Sequence, residues 1–102
     1  MEAKERKIQE IQILEQNIQN IMLQKQAFQM ELSETKAAKR EVENAGDEVF
    51  KIIGQLMIKS DKSKIISELS NKERLLELRV KSLEKQETLL TEKIDSLRKE
   101  IF

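Results

Sequence analysis

Glu41 with Glu43, and Glu84 with Glu87, are the chain's nearest approach to a catalytic carboxylate pair. Two carboxyl groups can divide acid and base roles when their surroundings push their pKa values apart. Here they fall at helical spacing in polar runs, with no Gly-rich phosphate loop or metal cluster beside them, so solvated helix faces are the expectation. The chain contains neither His nor Cys. That excludes imidazole acid–base chemistry, thiol nucleophiles, disulfides and thiolate zinc sites. No catalytic residue, metal or cofactor is expected, and the chain is read as a non-enzyme.

The remaining residues whose spacing carries chemistry are apolar, and their chemistry is association. Glu48-Val49-Phe50-Lys51-Ile52-Ile53-Gly54-Gln55-Leu56-Met57-Ile58-Lys59 is rich in β-branched and apolar side chains around one Gly. It reads as a short β-hairpin turning near Gly54. The competing reading is a plain apolar linker or continued helix, against which stand two glycines bracketing a β-branched run. A lone two-stranded ribbon is at best marginally stable in water and has open edges on both sides. The hairpin is therefore expected to pair with strands of other chains, and Val49, Phe50, Ile52, Ile53, Gly54, Leu56, Met57 and Ile58 form the expected assembly site.

The elements that must present this ribbon are two long helices. The chain has 102 residues, 37% of them charged, with three aromatics and no Pro. Such a composition suits helices with a narrow apolar stripe better than a large globular core. From Glu2 to about Glu43 neither Pro nor Gly interrupts, enough for a helix roughly 60 Å long. Along it Ile11, Leu14, Ile18, Ile21, Lys25, Phe28, Leu32, Thr35, Lys39 and Val42 recur at alternating steps of three and four. The second half repeats the pattern: Leu69, Leu76, Leu83, Leu90 and Leu97 recur every seventh residue, with Ile66, Val80, Ile94 and Ile101 on companion positions and Glu73 and Glu87 interrupting them. A sustained repeat of this kind winds a left-handed supercoil and needs a facing seam.

Asn44-Ala45-Gly46-Asp47 supplies the stop between the elements, with Gly suited to the left-handed conformation that ends many helices. Ser60 and Asp61 are both able to cap the next helix. The fold expected is mainly α: one domain over 1–102, an antiparallel two-helix coiled-coil hairpin of helix 1 at 2–45, linker and β-hairpin at 46–61, and helix 2 at 62–101. Antiparallel register sets Leu14 opposite Ile94, Ile18 opposite Leu90, Phe28 opposite Val80, Leu32 opposite Leu76 and Val42 opposite Ile66. It also puts Lys25 within a layer of Glu87 and Lys39 within a layer of Glu73. Two cross-helix ion pairs are expected there, contributing register more than strength; four solvated charges at a loosened part of the coil are the alternative.

Nineteen basic and nineteen acidic residues cancel to zero net charge. Without a clustered basic face, neither nucleic acid nor an anionic membrane is an expected partner. The N-terminal residues lack an apolar signal region, and no stretch approaches the roughly 18 apolar residues of a membrane span. A soluble, cytoplasmic protein is expected.

These features, in this order, resemble the prefoldin family, and within it the β-type subunit. The resemblance runs from about Ile11 to Leu97. It rests on a Gln-rich first helix (Gln9, Gln12, Gln16, Gln19, Gln24, Gln26, Gln29), one apolar hairpin, a polar helix start and Leu heptads. Val49-Phe50-Lys51-Ile52-Ile53-Gly54 is the most specific part, similar to the family's aromatic-Lys-x-x-Gly hairpin. A single hairpin looks like the β class, since the α class carries two. The resemblance implies a hetero-hexamer of two α-type and four β-type subunits joined through their hairpins into a double β-barrel platform. It implies an ATP-independent holdase whose coiled-coil tips hold unfolded proteins and pass them to a group II chaperonin. The charged, Pro-free N-terminus and the short stretch after the last heptad depart from the family's longer termini.

In a hairpin of this kind both chain ends meet at one tip, where helix ends fray and seam residues are partly covered. Ile8, Ile11, Ile13, Leu14, Ile94, Leu97, Ile101 and Phe102 are the expected client surface, because exposed apolar groups near mobile ends suit low-specificity capture. Ile11, Leu14, Ile94 and Leu97 also fit an ordinary coil core. Ile8, Ile13 and Phe102 do not. The competing function is a structural coiled-coil spacer or dimerisation protein, which has no need of an apolar ribbon.

Overall fold

A computed structural model describes residues 2–102; Met1, where the expected domain begins, lies outside the described residues. The chain is mainly α, a coiled-coil hairpin of two long helices with a two-stranded β-hairpin between them. The elements are α1 (Glu2–Asn44), β1 (Val49–Ile53), β2 (Leu56–Ser60) and α2 (Lys62–Ile101). The residues group into two units, one of 2–28 with Arg79–Phe102 and one of Gln29–Leu78.

In the first unit the helices run antiparallel, as the cross-helix ion pairs Lys7–Glu100 and Lys25–Glu87 require. Its core is Ile11, Leu14 and Ile94, with Ile18, Leu90, Leu97 and Ile101 packed against them. Val80 and Leu83 are buried further along the same seam. The Arg79 guanidinium lies 5.5 Å from the centre of the Phe28 ring, covering the one aromatic on the α1 seam. Burying each such aliphatic side chain contributes about 1.5–3 kcal/mol.

In the second unit Leu76 and Thr35 are buried, and Leu32, Val42, Ile66 and Leu69 are half-buried. Thr35 is a polar residue in an apolar row, and its hydroxyl donates to the Glu31 carbonyl at 2.8 Å, so its burial leaves no unsatisfied donor. Every seam position read from the α1 heptads, and every one read from those of α2, is buried or half-buried.

Both expected seam ion pairs form: Lys25 Nζ to Glu87 Oε2 at 2.9 Å and Lys39 Nζ to Glu73 Oε2 at 3.5 Å. The hydrogen bond to Glu87 holds the Lys25 ammonium above its ordinary pKa of 10.5; partial desolvation opposes this, and the charges of Glu87 and Glu84 reinforce it. More exposed pairs flank the seam, among them Arg98–Glu15 at 2.6 Å, Lys36–Glu77 at 3.7 Å and Lys72–Glu31 at 3.3 Å. Each such exposed pair contributes about 0–1 kcal/mol, and together they disfavour a slipped register.

One local expectation is corrected. α1 stops at Asn44, but Gly46 does not take the left-handed conformation; Gly54, at φ 61°, is the residue with positive φ among those described. Backbone closure at the α1 terminus is a tighter bond from the Ala45 N–H to the Val42 carbonyl at 3.2 Å. The end is completed from elsewhere: Lys62 Nζ donates to the carbonyls of Ala45 at 2.7 Å and Glu43 at 3.2 Å. At the start of α2, Asp61 is the cap, its Oδ1 accepting from the Ser63 N–H at 3.1 Å, while the Ser60 hydroxyl turns back to the Ile58 carbonyl.

Candidate assembly and binding surfaces

The ribbon pairs Val49 with Ser60, Phe50 with Lys59, Lys51 with Ile58, Ile52 with Met57 and Ile53 with Leu56. Gly54 and Gln55 form the loop. Positive φ at its first residue alone is the pattern of a type II′ turn, which matches the twist of the strands it joins and favours Gly in that place. A side chain at Gly54 would meet open space, so the constraint there is the backbone conformation.

Because side chains alternate and directly paired residues share a face, the register divides the ribbon into two surfaces. One carries Val49, Lys51, Ile53, Leu56, Ile58 and Ser60. Val49 is buried, and Lys51 Nζ reaches Glu68 Oε2 on α2 at 3.2 Å, so this face turns its base toward the helix. The other carries Phe50, Ile52 and Met57 with Lys59, and all three apolar residues are exposed, Ile52 to 70%. Ile53, Leu56 and Ile58 near the turn are exposed as well. With order β1-β2 and no third strand among the described residues, each strand presents one outer edge of backbone donors and acceptors. Of the expected assembly residues, only Val49 is spent on the subunit's own packing.

The expected client residues divide differently. Ile11, Leu14 and Ile94 are the buried core of the first unit, and Leu97 and Ile101 pack against it. Ile8, Ile13 and Phe102 are exposed, Phe102 to 91%. Ile13 lies among Gln9, Gln12, Gln16 and Asn17 in a shallow groove. Lys4 Nζ stands 6.0 Å from the Phe102 ring centre. Sequence reasoning passed over further exposed apolar residues: Met22, Leu23 and Met30 on α1, and Leu75, Leu78 and Leu89 on α2. Their signal was available, since each is a large apolar residue off the heptad seam.

Of the carboxylates with which a catalytic reading would begin, Glu87 is engaged by Lys25, and Glu41, Glu43 and Glu84 are solvated. Among the described residues no three or more acidic groups lie together as a metal site, and no helix is long and apolar enough to cross a membrane. The exposed apolar residues and the open strand edges are the features most available for binding.

Comparison with known proteins shows the family. The family model described as prefoldin subunit matches residues 5–101. Prefoldin subunit beta of Thermococcus onnurineus is 40% identical over 89 residues, spanning 85% of this chain and 77% of the relative. That of Thermococcus kodakarensis is 38% identical over 94 residues, spanning 90% and 80%. The crystal structure of the prefoldin beta subunit from Thermococcus strain KS-1 superposes with a TM-score of 0.91 at 36% identity, covering 97% of this chain and 89% of that one. The beta2 subunit from the same strain shares the fold at 16% identity, with a TM-score of 0.74 over 94% of this chain and 99% of that one. With its single ribbon, its heptad seams and these relatives, the chain belongs to the prefoldin family and is similar throughout to its β-type subunits.

Proposed function

We propose that this chain is the β-type subunit of an ATP-independent holdase, joined to α-type prefoldin subunits as two α and four β chains through its ribbon. The observation that carries the reading is the ribbon: exposed Phe50, Ile52 and Met57 on one face, and an outer edge on each strand. A strand edge is satisfied by another strand, and an apolar face by another apolar face, so assembly through β-augmentation supplies both. Membership of a chaperone family whose subunits form hetero-oligomers supports the same reading.

Ile8, Ile13 and Phe102 are the client-binding residues in this reading, because they are apolar, exposed and near helix ends. Ile11, Leu14, Ile94, Leu97 and Ile101 act as the packed base beneath them. Unfolded proteins held there would be released to a group II chaperonin in the cytoplasm. The test is to mix the chain with an α-type subunit, measure the mass of the product, and assay suppression of aggregation of a denatured client without ATP. A hetero-hexamer that suppresses aggregation is expected. A species of two chains or fewer, inert toward the client, favours a coiled-coil spacer instead.

A further inference from the structure

The ribbon is useful for assembly only if its edges are presented at a defined angle, and what holds its base is not a backbone motif. α1 ends without a left-handed cap, and its last turn contains Glu41 and Glu43 but no basic residue. Two carboxylates beside the negative pole of a long helix are unfavourable, and the last carbonyls need donors. Lys62, the first residue of α2 and half-buried as a whole, meets both needs: its ammonium donates to the carbonyls of Ala45 and Glu43. The contact closes a loop made of residues 46–61, the whole ribbon and its linkers, and ties together the two points from which the ribbon springs. The other tethers, buried Val49 and the more exposed Lys51–Glu68 pair, both act on β1 and do not join the ends of the two helices.

We propose that Lys62 is the positioning residue of the assembly ribbon, a latch that clamps the end of α1 to the start of α2 so that the ribbon meets neighbouring subunits already oriented. This rests on the assembly reading of the ribbon. Pre-orientation lowers the ordering cost of association, so loss of the latch weakens assembly even where the helices remain folded.

The test replaces Lys62 with Met, which keeps the stem and removes the donors, and with Arg, which keeps charge and donors. Spin labels at Gln55 and Lys72 report the ribbon's orientation against α2, and titration with the α-type subunit reports assembly. In Lys62→Met the distance distribution should broaden and assembly weaken about tenfold. Lys62→Arg should restore both, and thermal unfolding should stay close to wild type. A distribution that stays narrow in Lys62→Met overturns the latch, as does assembly of wild-type affinity despite a broad one. A loss that simply follows lowered thermal stability reduces Lys62 to a helix cap and also overturns it. Should the wild-type chain fail to assemble at all, the functional reading falls, and the labels still decide whether Lys62 holds the ribbon.

Discussion

Ile94 on α2 and Ile52 on β1 are the same side chain in opposite circumstances, 5% exposed in one case and 70% in the other. The coil seam can complete itself within the chain because each helix brings a facing row of apolar residues in antiparallel register. The ribbon cannot: two strands share one ladder and still present two outer edges and an uncovered face. Apolar residues in the seam therefore stabilise the subunit, whereas in the proposed assembly those in the ribbon stabilise contacts that the subunit alone does not make. The separation predicts that substitutions in the two regions have opposite profiles, one on folding and one on assembly.

The sharpest break is expected at the ribbon. Ile52→Asp with Met57→Asp places two like charges directly across the strands on the exposed face. Assembly with the α-type subunit, followed by light scattering, should be abolished, while the subunit's own unfolding free energy changes by only about 0.5 kcal/mol. Ile58→Asp, on the face turned toward α2, should also disturb the isolated chain, because Ile58 pairs with Lys51 beside Glu68.

The seam gives the converse. Leu76→Ala removes a buried side chain and should cost about 2–4 kcal/mol in denaturant unfolding. Any assembly it retains should then be of normal affinity at temperatures where the chain is folded. A third and smaller effect separates client binding from both: Ile8→Ser, Ile13→Ser and Phe102→Ser together should weaken suppression of client aggregation and leave oligomer mass and subunit stability unchanged. No change in aggregation would remove these residues from the client surface.

The smallest effect is the most local. Because its contact with Glu87 raises the folded-state pKa of Lys25, the stabilisation from this pair is fully present below the ordinary lysine value of 10.5 and lost as pH rises through the raised one. The difference in melting temperature between wild type and Lys25→Gln should be flat through neutral pH and shrink only in strong alkali. A difference that closes near neutrality would contradict the pairing.

Heptad spacing was enough to read the seam, including its charged layers, because a helix seam is a one-dimensional pattern and facing partners follow from antiparallel register. The ribbon and the place of its turn were legible for a similar reason: β-branched residues around Gly54 specify two strands and a turn between them locally, while the II′ form of that turn came from the structure. The end of α1 was misread, since Gly46 offers a left-handed cap that the chain does not use. Lys62 replaces it from beyond the ribbon, a contact that exists only once the helices are folded and that no local motif announces. Exposure of Ile13 against burial of Ile11 was legible from the heptad. Which ribbon face turns toward α2 was not, because both faces are apolar and only Val49 and the Lys51–Glu68 pair distinguish them.

Hydrogen–deuterium exchange tests the division between seam and ribbon most directly, by following amides of residues 49–60 in the chain alone and after addition of the α-type subunit. Outer-edge amides of the ribbon should exchange quickly at first and become strongly protected on assembly, with seam amides such as those around Leu76 and Ile94 unchanged. Protection that instead arises along the helices, with the ribbon still exchanging quickly, would contradict the account.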